Sequence, residues 1–505
     1  MFYHCDLLDP LLAKEPSTPV LIKSDGSRLT ARELLSASKN LAYSLHQKGF
    51  RENDIAVITL AAGAEFLFVI YAVMILRGKV AIIDPEMGRA NFKSKLNQLQ
   101  PRWAFVDSRI LLLNEHPLLR FAVFKVSKNV PYFQAPKGCT IISGGGFMPT
   151  VKKYCSIKKL LTRKSEPIVL SKNLAPHEFI VVYTSGTVQE PKGVVHTVEG
   201  LKRSIEHLVE ILGKRRDDLI ATDLPQYMML GISAEIPVIL LPSGLSAKSK
   251  LHWLERHRAT ILFSPPSEIL SMVNQCEQES RRFPTCIRRI LLGSAPVHTR
   301  FLKRLHSVAG YQTHISCLYG MTELLICAVI DSETKINYTS DGDVLGKPWK
   351  DVNCHIAADG EILLASPQLY ARYFHEDTRP EYHQTGDMGY RDDNGYLILT
   401  GRKKDMIIRG NFNIYPGIYE GTIRRIEGVD DCALIGIWNE SKDDEEVLLV
   451  VESEKLTADH VRKGITLGDH AIDRQALPDK IIMMQLPRSG RQNKVDKKFL
   501  RTRFQ

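Results

Sequence analysis

Long apolar runs, paired cysteines and a leader-like start are all scarce in this chain of 505 residues. Its longest uninterrupted apolar stretch, Phe66 to Leu76, is eleven residues, well short of the ~20 that span a bilayer, so no transmembrane segment is expected. The opening MFYHCDLLDP carries an early aspartate and no basic-then-apolar layout, which argues against a signal peptide. Nine cysteines, an odd number, run from Cys5 to Cys432 with no Cys-x-x-Cys pair and no Cys/His ligand spacing. That pattern argues against a disulfide framework or a cysteine-held metal, and the expectation is reduced thiols packed in a cytoplasmic protein. No internal repeat is present, and low complexity is confined to SGGGF at Ser143.

Charge is one-sided only at one end. A formal +10 would suit nucleic acid or a membrane surface, yet seven Lys/Arg against one acid between Pro487 and Gln505 supply +6 of it. Base-stacking aromatics are missing from that tail apart from Phe499 and Phe504, so a nucleic-acid partner is not expected. Anionic nucleotides or a phosphopantetheine arm would suit the same cations. With 44% apolar residues over 505 positions, two or more domains are expected.

Through the first four hundred residues, strands and helices alternate in the order that builds parallel sheets. DIAVITL, KVAIIDP and RWAFVD read as strands, with AEFLFVIYAVMIL a buried helix among them. A second series follows strand Phe179–Tyr183: a helix from Val198 to Leu212, then strands in DLIATDL, RATILFSPP, IRRILLGSA and HISCLYG. The fold class expected is therefore α/β, with a large N-terminal domain, residues 1–401, holding two doubly wound parallel sheets. A small β-rich subdomain begins near Leu345, where NCHIAADGEILLAS reads as a hairpin. At GRKKDMIIRG four of the five residues after Gly401 are charged and belong to no core. A boundary is placed near Gly401 to Asp405, with 405–505 a small α+β C-terminal domain.

Ligands in such folds collect at the carboxyl ends of the strands. Four segments sit just past predicted strand ends: the loop after Tyr183, FSPP, LGSAPV and LYGMTE. They are expected to face one cleft. In YTSGTVQEPKG, small hydroxyl residues and a glycine offer backbone N–H and hydroxyl donors to an anion, with the Lys192 cation beside them. An ordinary turn has the same composition. A Walker A loop it is not, since Pro191 stands five places after Gly186 and the Gly-Lys-Ser/Thr ending is absent.

Taken together, YTSGTVQEPKG, LYGMTE, TGD at Thr385 to Asp387, GRKKDMIIRG and NKVDKK resemble, in order and approximate spacing, the acyl-adenylate-forming (AMP-binding) superfamily. That superfamily includes acyl-CoA synthetases, peptide-synthetase adenylation domains and luciferases, and the resemblance covers nearly the whole chain. It implies ATP-dependent attack of a carboxylate on the α-phosphate, pyrophosphate release, and transfer of the acyl group to the thiol of CoA or a carrier protein. Two unit charges at about 4 Å repel by roughly 4 kcal/mol at an effective dielectric of 20, a barrier term of about a thousandfold in rate, so Mg²⁺ and fixed cations are needed. By resemblance, Thr184, Ser185, Gly186, Thr187, Lys192, Gly293, Ser294, Ala295, Tyr319, Gly320 and Thr322 line the ATP/AMP site. Glu323 holds the metal, Asp387 the ribose hydroxyls, and Arg402 the ribose or phosphate. The resemblance likewise makes Lys494 the catalytic lysine delivered by a mobile C-terminal domain, counts Thr322 and Glu323 with it as catalytic, and makes residues 402–404 a hinge with Lys404 at the hinge position. Tyr227, Met228 and Gly231 are candidates for the acyl pocket.

Several positions depart from the family pattern. Val188 and Gln189 replace a hydroxyl residue and a glycine, Asn493 replaces the glycine before Lys494, and Met228 stands where acyl-CoA synthetases commonly carry His. A thioether there suggests a fatty or otherwise apolar acid; packing in the core is the plainer alternative. DPEMGR at Asp84 to Arg89 is similar to β-lactone synthetases, which use a β-hydroxy acid and no thiol. A degenerate, non-catalytic nucleotide binder is the other alternative.

Overall fold

The computed structural model describes residues 2–83, 89–116, 133–145, 153–162, 169–171, 177–183, 192–242, 244–310, 312–409, 412–440, 444–467, 470–489 and 493–505. Two large sheets organise the first four hundred of them. In the eight-stranded sheet, six strands run parallel in the spatial order Glu178–Tyr183, Lys79–Ile82, Ile55–Thr59, Trp103–Asp107, Thr140–Gly144 and Cys155–Ser156. Gly193–Thr197 and Arg372–Tyr373 add antiparallel strands at one edge. The helix Ala64–Ile75 is apolar all round because it is buried all round: Phe66, Leu67 and every residue from Val69 to Ile75 lie in the core. The amphipathic helix Ala31–Gln47 covers it, started by a reciprocal capping box between Thr30 and Glu33.

The second sheet has thirteen strands. Its parallel part reads Val238–Leu240, Ile220–Thr222, Ile261–Phe263, Arg289–Leu292, His314–Tyr319 across the sheet, with Pro19–Ile22 outside Val238–Leu240. Chain order reverses beside Ile220–Thr222, and at such switch points a crevice opens at the strands' carboxyl ends. These three- to six-residue strands are nearly continuous apolar runs, as strands covered on both faces must be.

The β-rich part does not form a sheet of its own. Ala328–Asp331, Asp343–Pro348, Leu397–Arg402, His383–Arg391, Glu361–Ala365 and Asn353–Ile356 continue the second sheet in antiparallel fashion beyond His314–Tyr319. The expected hairpin is present, Asn353–Ile356 against Glu361–Ala365. After Arg402 a 3-10 turn, Lys403–Asp405, leads into an α+β unit. Its sheet joins Asp431–Asn439, Asp444–Glu452 and Lys480–Met483, covered by helices Pro416–Ile423 and Ala458–Thr466 over one apolar cluster and by Lys497–Phe504 over a second. No helix among the described residues is long and apolar enough to cross a membrane, and all nine cysteines are free thiols.

Candidate active site

Asp387 is the best-defined charge in the cleft. Strands His383–Arg391 and Leu397–Arg402 pair antiparallel and place it opposite Arg402. Gly386 takes φ +68°, a left-handed turn that lets the strand bend at this point. Thr385 Oγ1 secures the turn by accepting from the Asp387 N–H at 3.0 Å and donating to the Ile362 carbonyl at 2.7 Å. The residue is 1% exposed. Tyr319, the last residue of its strand, donates its hydroxyl to Asp387 Oδ2 at 2.7 Å. Burial, then the Asp387 charge, holds that hydroxyl well above its usual pKa, so it stays a donor. Arg402 Nε lies 2.7 Å from Oδ1 as an ion pair, yet this buried oxygen accepts no hydrogen bond. Its contact with Arg402 is thus electrostatic, and the oxygen keeps acceptor capacity for a further donor.

A second cluster surrounds Glu323, which is 9% exposed. Tyr373, on the strand Arg372–Tyr373, donates its hydroxyl to Glu323 Oε1 at 3.0 Å. The Lys192 ammonium stands 4.5 Å over the Tyr373 ring. His383 is buried nearby; desolvation lowers its pKa, Glu323 pulls it up and Lys192 pushes it down. His196 Nε2 meets the Thr322 carbonyl at 2.7 Å, and burial likewise lowers its pKa. Lys192, Thr322 and Glu323 therefore meet between the two sheets. No group of three His, Cys, Asp or Glu side chains able to hold a metal occurs among the described residues. Mg²⁺ is commonly held by one or two carboxylates plus substrate phosphates, and Glu323 is the carboxylate of this cluster.

Lys494 reaches the first cluster from the C-terminal unit. It sits on a two-residue ladder, Arg488–Ser489 against Lys494–Val495. The next residue, Asp496, caps the last helix by accepting from the Phe499 N–H at 2.9 Å, and Lys497 pairs with the buried Glu420 at 2.7 Å. Asn493 takes φ +52°, the left-handed region that Asn enters more easily than most residues, so the replaced glycine is accommodated. Desolvation, then the charge of Arg402, brings the Lys494 pKa down to about 8, with Asp387 pulling upward and Lys404 downward. Because the side chain is exposed, solvent screens part of these charges. The rest of the basic tail is largely consumed internally: Arg488 pairs with Asp431 and Glu452, and Arg501 with Asp405.

Other expected residues divide sharply. Thr184, Ser185, Gly186, Thr187, Val188 and Gln189 lie outside the described residues, as do residues 84–88 of the DPEMGR segment. Gly293, Ser294 and Ala295 follow strand Arg289–Leu292, with Ser294 at φ +68° and its side chain bonded to Tyr227. Gly320 admits no side chain, because a Cβ would lie 2.1 Å from the Leu325 carbonyl. The acyl-pocket candidates need correction. Met228 is 0% exposed within the main core, and a Cβ on Gly231 would lie 2.6 Å from Val238 Cγ2. Both serve packing; Tyr227 alone of the three keeps exposed surface, its ring 4.0 Å from that of Phe263 beside the switch point. Sequence reading missed Tyr373, His383 and His196. Tyr373 lies fifty positions from Glu323, and no local pattern announces that pairing.

The chain belongs to the AMP-binding enzyme family, whose model matches residues 10–374. The relatives it matches in sequence include proteins named as CoA ligases. It is 25% identical to a 2-succinylbenzoate–CoA ligase of Oceanobacillus iheyensis, over 94% of each chain. To an indoleacetate–CoA ligase of Aromatoleum aromaticum it is 27% identical, over 67% of this chain and 70% of the relative. Among solved structures, the o-succinylbenzoate coenzyme A synthetase of Bacillus subtilis in complex with ATP and magnesium ion superposes with TM-score 0.76 at 21% identity, covering 99% of both chains. That likeness shows the same α/β fold throughout.

Proposed function

We propose that the chain activates a carboxylic acid with ATP, forming an acyl-adenylate and pyrophosphate, and then passes the acyl group to the thiol of CoA. The observation that carries this reading is the convergence of Asp387, Tyr319, Arg402 and Lys494: a buried carboxylate whose Oδ2 is taken by Tyr319 and whose Oδ1 meets Arg402 only as an ion pair, with the ammonium of the C-terminal unit near enough to feel both charges. Asp387 holds the ribose hydroxyls. Lys494 neutralises the incoming carboxylate and the α-phosphate as they close, which removes the repulsion that otherwise blocks attack. Glu323, oriented by Tyr373, is the residue to hold Mg²⁺, which supplies charge neutralisation on the phosphates. Lys404 is the pivot on which the C-terminal unit turns between the two half-reactions.

The acid we propose is an aryl acid. The fatty-acid expectation rested on Met228, which is core, whereas Tyr227 and Phe263 form an aromatic pair beside the switch-point crevice. The relatives compared are named for 2-succinylbenzoate and indoleacetate, both aryl acids. Asp223, half-buried and bonded to Ser264 at 3.1 Å, puts a carboxylate at the same edge. It disfavours a second carboxylate such as 2-succinylbenzoate carries and favours a ring bearing a hydrogen-bond donor, as that of indoleacetate does. CoA as acceptor is supported by the same relatives, which are CoA ligases; none is named for a carrier protein or a lactone. The test is acid-dependent pyrophosphate exchange over indoleacetate, aminobenzoates, 2-succinylbenzoate and fatty acids, followed by thioester formation with and without CoA. Exchange with aryl acids and CoA-dependent product are expected; exchange confined to fatty or β-hydroxy acids overturns the assignment.

A further inference from the structure

Glu361 joins two parts of the site that the chain otherwise keeps apart. It opens the strand Glu361–Ala365, which neighbours His383–Arg391, which in turn neighbours Leu397–Arg402. Its side chain is 6% exposed, and both oxygens are used. Oε1 accepts from the backbone N–H of Gly386 at 2.9 Å, the residue that turns the chain into Asp387. Oε2 accepts from the Lys403 ammonium at 2.9 Å. Lys403 is held from a second side by Asp359 Oδ2 at 2.6 Å, and that aspartate is itself oriented by accepting from the Glu361 N–H at 3.1 Å.

Two residues further on, the attachments reverse. Asp405 accepts from Arg501 Nη2 at 3.0 Å, and Arg501 lies on the last helix of the C-terminal unit. Lys403 is thus anchored to the large domain and Asp405 to the small one, with only Lys404 between them. Rotation of the backbone at Lys404 leaves both ion pairs intact, whereas rotation at either neighbour breaks one. A charged pair with one partner buried, as Glu361 is, resists breaking more than an exposed pair does.

We propose that Glu361 is a positioning residue that couples occupancy of the Asp387 site to the setting of the hinge. A nucleotide that loads Asp387 fixes the Thr385–Asp387 turn; the turn fixes the Glu361 carboxylate through the Gly386 N–H; and the carboxylate fixes Lys403. An unclamped Lys403 lets the hinge move without regard to the nucleotide. This rests on the reading of Asp387 as a nucleotide ligand.

The test is trypsin cleavage of the Arg402–Lys404 segment in the full chain, with and without AMP, alongside calorimetric AMP binding. Wild type, Glu361→Gln, Lys403→Met and Lys403→Arg are compared. Lys403 is half-exposed, so its replacement leaves the fold intact if Glu361→Gln does not. AMP is expected to slow cleavage of wild type and Lys403→Arg by about fivefold or more, the low end of allosteric couplings, and to lose that effect in Glu361→Gln and Lys403→Met. Equal protection in all four, or AMP binding to wild type without protection, overturns the coupling. Failure of wild type to bind AMP overturns the nucleotide site itself, and the coupling with it.

Discussion

Tyr319 and Asp387, sixty-eight positions apart, share a 2.7 Å hydrogen bond across the second sheet. The bond joins the last parallel strand to the antiparallel extension, two strands of which end at Arg391 and Arg402. Because Tyr319 stays protonated, it keeps Oδ2 of Asp387 occupied, while Oδ1 faces Arg402 as an ion pair.

Asp387→Asn removes the charge proposed to hold the ribose and leaves Arg402 without its partner. Loss of a charged hydrogen bond is worth about 2 kcal/mol, so kcat/KM for ATP is expected to fall about thirtyfold. Steady-state exchange kinetics with ATP as the varied substrate check this; unchanged KM and kcat place the ribose elsewhere.

Lys494 imposes a pH limit. Its pKa is brought down to about 8, so the ammonium is charged below that value and neutral above it. The adenylation rate is expected to be level below about 8 and to fall about tenfold per unit well above it. Lys494→Arg, which cannot lose its proton in this range, removes that alkaline limb from the profile even where its absolute rate is lower.

How much of this was legible in the sequence depends on how local each signal is. The helix Val198–Leu212 was read to the residue because a threonine cap and a left-handed glycine bracket a regular apolar stripe. Asp387 and Glu323 stood out through the resemblance of the short motifs around them. The pairing of Lys403 with Glu361 did not, since two surface-looking charges forty-two positions apart carry no periodicity. Met228, in LPQYMMLG, carried two readings because a thioether in a core and one in a pocket look the same in sequence. The merging of the β-rich strands into the second sheet was invisible as well, because strand order is set by tertiary packing rather than by any window of sequence.

Tyr373→Phe keeps the ring under Lys192 but strips the donor from Glu323 Oε1. A buried carboxylate losing one neutral donor loses roughly 1–2 kcal/mol of orientation. The Mg²⁺ concentration for half-maximal exchange is expected to rise about tenfold, with thermal stability nearly unchanged.

Gly417 lies where the helix Pro416–Ile423 meets the strand Leu397–Arg402, and a Cβ there would sit 2.6 Å from the Thr400 carbonyl. Gly417→Ala forces the C-terminal unit away from the strand, an overpacking penalty of about 1–3 kcal/mol. Adenylation is expected to fall about tenfold while AMP affinity, which depends on the large domain, stays within about twofold.

The most direct test of the central claim pairs two measurements on wild type and Lys494→Ala: acid-dependent pyrophosphate exchange with the best aryl acid, and AMP binding by calorimetry. Convergence of both domains on one nucleotide predicts exchange in wild type, a loss of about a hundredfold or more in the variant, and AMP affinity nearly equal in the two. Exchange that survives Lys494→Ala intact contradicts it.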